Sequence, residues 1–187
     1  FKPNITEAEM QKRFKYQNTQ FSATVRSIDI IDIEFDSLMY HNKLFIKEVI
    51  VDSVSAAVFK DKTKRIDPER FPLYPGQQVA SIKMPVQILK VTVKNSAIVN
   101  RERKPDGNYA KVTVNNLQAT ATNITNLSVE EPLVLSGSAL LENVAHFNVN
   151  LTFDYTKPQF SIDANIQKFN LKSLNNLLRS YSPASVH

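Results

Sequence analysis

The chain has 187 residues, a hydrophobic fraction of 42% and a formal net charge of +5. That length suits one domain burying about 70% of the surface its unfolded chain exposes, and the composition excludes a disordered or fibrous class. The absence of cysteine excludes disulfides, thiolate metal sites and cysteine nucleophiles.

No apolar run reaches the roughly 18 residues that a membrane-spanning helix needs. The chain opens Phe1-Lys2-Pro3-Asn4 without the charged-then-apolar pattern of a secretory signal. It is expected to be an excised or processed piece, with any membrane association made through a segment outside it. The basic excess does not predict a nucleic-acid partner. Lys60-Asp61-Lys62-Thr63-Lys64-Arg65 and Arg101-Glu102-Arg103-Lys104 are both interrupted by acids, and neither is interleaved with aromatics.

In chain order, a polar lead-in over residues 1–20 holds a predicted helix over 7–16, with Thr6 as cap and Glu9 completing a capping box. From Thr24 to Phe35 the alternation shifts phase between Ile30 and Ile31, which predicts a bulge there. A short turn or helical turn follows over 36–42, then one long strand or a pair over 43–60. Residues 61–84, with three prolines and Gly76, read as a surface loop. Strands resume over 86–103 and 110–124, joined by Pro105-Asp106-Gly107-Asn108, a specific hairpin signal. Strands over 133–141, 147–153 and 160–167 follow, the last two alternating strictly apolar with polar residues. A short helix over 172–180 closes the chain, with Ser173 as cap and Leu174, Leu177 and Leu178 as its apolar stripe.

Such patterning predicts a mainly β fold: a twisted antiparallel sheet or meander of about seven to nine strands, as an open groove or a sandwich, with short terminal helices. The organisation is one domain over 1–187, with the lead-in over 1–20, the sheet over 21–170 and the helix over 172–180. A weak repeat runs through it. Ile46-x-x-Val49-x-Val51-x-Ser53 recurs 42 residues later as Ile88-x-x-Val91-x-Val93-x-Asn95, and again as Ile166-x-x-Phe169-x-Leu171-x-Ser173. Stacked β-elements and chance in an Ile/Val-rich chain account for that spacing equally well.

Catalytic chemistry is hard to find. His41, His146 and His187 have no ligand-spaced companions, and phosphate-binding and nucleophile-elbow motifs are missing. Asp29/Asp32 and Glu130/Glu131 read as exterior charges. The Asn-x-Ser/Thr triplets at Asn4, Asn123, Asn126 and Asn150 read as accidents of an Asn- and Thr-rich chain. The expectation is a non-enzyme with no catalytic residue, no metal and no cofactor. One sheet face should be apolar, lined by Phe45, Val49, Val51, Leu89, Val91, Val93, Phe147, Val149, Leu151, Phe160 and Ile162. Alternation alone leaves that face as either a lipid-contacting surface or the core.

Three stretches carry a family resemblance: SIDIIDIEFDSLMYHNKLFIKEVIVDSVSAAVFKDK, then MPVQILKVTVKNSAIVNRERKPDGNYAKVTVNNLQATATNITN, then QFSIDANIQKFNLKSLNNLL. Their order, over most of 22–180, resembles the AsmA-like, TamB-related family of envelope proteins. The resemblance implies a periplasmic β-groove domain in outer-membrane biogenesis or phospholipid transport. Its partners would be acyl chains or neighbouring β-repeats of the same protein. The alternative is a structural or protein-interaction scaffold of the cell envelope with no ligand of its own.

Overall fold

The computed structural model describes residues 1–3, 5–128, 130–182, 185 and 186. Nine strands form one open sheet: β1 (Thr19–Thr24), β2 (Ser27–Ile33), β3 (Leu44–Asp52), β4 (Ser55–Asp61), β5 (Val86–Arg103), β6 (Tyr109–Thr125), β7 (Leu133–Leu141), β8 (Ala145–Phe153) and β9 (Phe160–Ile166). The helices are α1 (Glu7–Arg13), α2 (Phe35–His41), α3 (Pro75–Ala80) and α4 (Asn175–Tyr181), the last preceded by a 3-10 turn at Leu171–Leu174. The fold is mainly β, and of the two expected forms it is the open sheet.

The sheet is built from long kinked strands. β1 pairs with β4 and β2 with β3 in a single antiparallel register, so 19–33 and 44–61 form one hairpin bent at Ser53. β3 and β4 both pair with β5, in parallel and at a constant offset of 42 residues: Ile46 opposite Ile88, Val49 opposite Val91, Ala57 opposite Val99. The first two copies of the sequence repeat therefore lie side by side with equivalent residues as cross-strand partners. The remaining pairings, β5–β6 through β8–β9, are antiparallel. The third copy is not a strand pair. Its Ile166 ends β9, and Leu171 begins the 3-10 turn.

A crease crosses the sheet where Ser53, Asn95 and Asn116 take left-handed backbone, each near φ +50° (54°, 49° and 52°). Asn tolerates that region better than most residues, because its short side chain bonds locally. The ladder slips around Ser96 between β5 and β6 and again between Asn115 and Gln118 on β6, whereas β7–β8 runs unbroken. Ser96, 2% exposed, staples the crease: its hydroxyl accepts from the Val54 amide at 3.0 Å and donates to the Lys94 carbonyl at 2.7 Å. Beside it the Asn95 amide donates to Asp52 at 2.9 Å. That bond, with the Ser53 hydroxyl, holds the Asp52 carboxyl below its ordinary range.

Several local expectations need correction. No bulge forms at Ile30–Ile31, where the β2–β3 register is unbroken; the phase shift instead puts isoleucines on both faces of an edge strand, with Ile33 opposite Ile46. The Thr6–Glu9 capping box is present, but the helix stops at Arg13, and strand begins at Thr19 rather than after residue 20. The segment 61–84 carries α3, which Pro75 can open because the first turn of a helix needs no N–H bond there. Gly76 is required at that helix, since a Cβ would lie 2.6 Å from the Asp154 carbonyl oxygen. Asn170 caps the N-terminus of the 3-10 turn, its side chain accepting from the Lys172 amide, and α4 follows Leu174 with no side-chain cap, so Ser173 caps neither.

Ser96→Ala leaves the Val54 amide without its acceptor and is expected to lower stability by about 1–3 kcal/mol in urea unfolding. A change below about 0.5 kcal/mol, the range of neutral surface substitutions, would remove Ser96 from its role in the crease.

Candidate functional site

Following cross-strand partners gives the chemistry of each face. One row runs Ile30–Val49–Val91–Ala121–Leu135–Leu151–Ile162, and the next runs Ile28–Val51–Val93–Ala119–Gly137–Val149–Ala164. Both are apolar from edge to edge. On the reverse face the intervening row reads Asp29–Ile50–Thr92–Thr120–Ser136–Asn150–Asp163. The sheet thus has one apolar face and a reverse face that is polar along this row, although the row Ile33–Ile46–Ile88–Ile124 on that reverse face is apolar, with Ile46 buried.

All eleven residues expected on the apolar face lie on it. Phe45, Leu89, Phe147 and Phe160 extend it beyond the two rows just traced. None of the eleven is buried, and Leu89, Phe160 and Ile162 are 53%, 50% and 60% exposed. The accessible surface of 12378 Å² compares with about 9,100 Å² for a compact monomer of this mass. The excess follows from a sheet that has no second layer over most of this face.

Only the ends are covered. Val79 of α3 packs on the cluster of Leu133, Phe153 and Tyr155, which Leu135 and Leu151 of the apolar face also join, and Tyr74 meets the Phe160 ring at 5.6 Å. The Tyr155 hydroxyl donates to the Asn123 carbonyl and accepts from the Thr125 amide at 3.1 Å, and burial pushes its pKa up. Beyond the crease, α1 is tied to β5 by Arg101–Glu7 at 3.2 Å, and α4 packs on β6. Beside the bare face, a hollow of about 440 Å³ is lined by Phe45, Leu89, Gln87 and the Asp32–Lys47 ion pair, which closes at 2.9 Å. The adjacent α2 buries none of its residues and exposes Phe35, Met39 and Tyr40.

Sequence reasoning missed Ile28, Ile30, Ala119, Ala121, Leu135, Gly137 and Ala164 on this face. The alternation of Ala119 and Ala121 with Thr120 and Thr122 carried the signal, but alanine is too small to mark a phase by itself. The polar candidates do not gather. His41 ends α2, His146 is exposed on β8, Asp29 lies on the polar face and Asp32 pairs with Lys47, while His187 and Asn4 lie outside the described residues. Among the described residues no group of three or more His, Asp or Glu is placed to hold a metal ion. Nor, among the described residues, is any helix long and apolar enough to cross a membrane. Two triplet asparagines are engaged structurally. Asn126 accepts from the Val86 amide and donates to the Ile82 and Met84 carbonyls, and Asn123 donates to Glu131 and to the Pro132 carbonyl.

In comparisons with known proteins, no family model and no curated protein matches the chain.

The bare face and the covered end predict different costs of truncation. Leu133→Ala, at a residue 3% exposed, should cost about 2–5 kcal/mol in urea unfolding. Ile162→Ser should stay within about 0.5 kcal/mol of the parent. Equal costs would mean that the face is not bare.

Proposed function

We propose that this domain is a non-enzymatic, acyl-chain-binding sheet of the AsmA-like kind, acting in the periplasm in phospholipid transport between membranes or in outer-membrane biogenesis. One observation carries the reading: eleven apolar side chains share a single face across the sheet, and none is buried. Fully burying an exposed side chain of this kind is worth roughly 1.5–3 kcal/mol; eight of the eleven are already half-buried and three are exposed, so on the order of 10 kcal/mol of burial is unrealised in the isolated chain. Patches of this breadth are uncommon on monomers and mark a ligand or partner surface.

An acyl chain suits the face for a chemical reason. Its rows are hydrocarbon with few polar anchors, so they offer contact without the directional hydrogen bonds that select a polar ligand. The polar row of the reverse face keeps the sheet wetted on its other side. Lipid moving between membranes must be held and released, and a long face contacted weakly along its length allows both.

The scaffold reading also has an observation in its favour. Both apolar rows run out to sheet edges, at Ile30 and Ile28 on β2 and at Ile162 and Ala164 on β9, where a neighbouring β-repeat could continue them. On that reading the face would be covered by protein.

Purification without detergent, solvent extraction and mass spectrometry separate the two. The proposal expects phospholipid from the parent protein. It expects Val91→Lys and Val149→Lys, made singly, to lose the lipid while unfolding within about 1 kcal/mol of the parent, because lysine on an open face carries its ammonium into water. Lipid-free parent protein, with both variants unfolded by a charge left unpaired, would sink the lipid reading.

A further inference from the structure

The net charge of +5 is concentrated on one side of the crease. That lobe comprises residues 1–24, 55–65, 96–117, 140–146 and 167–182: α1, β1, β4, the crease-distal halves of β5 and β6, the β7–β8 turn and α4. It holds fifteen of the 23 lysines and arginines and six of the 18 acids, a net of +9. The rest of the chain, which carries the apolar face, holds the other eight cations and twelve acids, a net of −4. The separation runs along the strand direction, since the lobe lies at one end of β5 and β6.

Much of this charge faces solvent. Among the described residues three of the lobe's cations pair with acids: Lys62 with Glu102, Arg101 with Glu7 and Lys104 with Asp106. Lys12, Arg13, Lys111, Lys172 and Arg179 are exposed on α1, β6 and the C-terminal turn and helix. Exposed aromatics stand among them, with Phe1, Phe21, Tyr109 and Tyr181 all on the lobe. Cations beside partly exposed rings form the surface that settles at a lipid headgroup layer, where charge meets phosphate and rings enter the interface.

We propose that this lobe docks the domain on a membrane surface bearing anionic phospholipid. The acidic remainder would be turned away from the same surface, so the strands would stand off the membrane with the apolar face rising from it. An extended polyanion such as a nucleic acid fits less well. A duplex lying across the sheet would meet the acidic half, whereas a planar surface touches the lobe alone. The inference goes beyond the acyl-chain reading and does not rest on it, because vesicle binding and co-purified lipid are read separately.

The test is co-sedimentation of the full chain with vesicles of phosphatidylcholine alone and of phosphatidylcholine with phosphatidylglycerol. Binding is expected only to the anionic vesicles, falling about tenfold or more between low salt and about 0.5 M salt, where the screening length shortens to a few ångströms. The triple variant Lys111→Glu, Lys172→Glu, Arg179→Glu should lose binding at unchanged circular dichroism. Lys83→Glu with Lys157→Glu, outside the lobe, should retain it. If the triple variant does not fold, the salt and headgroup dependence of the parent decides. Absence of binding to either vesicle, equal binding to both, or unchanged binding by a folded triple variant would overturn the proposal. So would displacement from the vesicles by a DNA duplex at equal phosphate concentration, which would assign the lobe to nucleic acid.

Discussion

The parallel pairing of the segment 44–61 against β5, held at an offset of 42 residues along its whole length, is the constraint from which the rest of the sheet follows. It matches the two clear repeat copies residue for residue, so Val49 and Val51 stand on the same face as Val91 and Val93. It also brings the left-handed residues Ser53 and Asn95 together, and a kink shared by neighbouring strands costs less than one strand bending against straight partners. The Ser96 hydroxyl and the Asp52–Asn95 contact satisfy the backbone and side-chain groups that such a kink would otherwise leave open. Antiparallel addition of β6 to β9 then carries the same face outward to the far edge.

The crease divides labour. On its far side α1 and α4 supply cover, and Met10, Phe59, Ala110 and Leu174 are buried. On its near side the chain spends few residues on cover: α3 seals one end around Leu133, Phe153 and Tyr155, and α2 seals nothing. A conventional domain of this length buries most of its apolar face between two layers. Here stability rests on the long ladder, the two covered ends and local polar staples such as Tyr155 and Asn126. The middle of the face is left available.

Much of this was legible in the amino-acid sequence, for physical reasons. Strict alternation from Phe147 to Phe153 and from Phe160 to Ile166 states which side is apolar, because neighbouring residues of a strand face opposite ways. The eleven face residues followed from that rule alone. Residues whose side chains mark phase poorly escaped it: Ala119, Ala121 and Gly137 are too small, and Ile28 and Ile30 sit on a strand with isoleucine on both faces. The parallel β3–β5 pairing was half visible, since the repeat gave the correct offset without saying that its copies would lie adjacent. The α3 helix was hidden by prolines that read as loop, although Pro75 occupies the one helical position that tolerates it. Whether the face would be covered lay beyond alternation, which is identical for a core and for an open surface.

The chain has no cysteine, so a single introduced thiol reports the solvent access of one position. The middle of the apolar face is open in the folded protein. The most direct test of that openness is the rate at which a water-soluble maleimide labels Val149→Cys in lipid-stripped protein, beside Asn150→Cys on the reverse face and Leu133→Cys in the covered cluster. An open face gives a Val149→Cys rate within about tenfold of Asn150→Cys, far above that of Leu133→Cys, which waits on local or global opening. Labelling of Val149→Cys as slow as that of Leu133→Cys would contradict an open face.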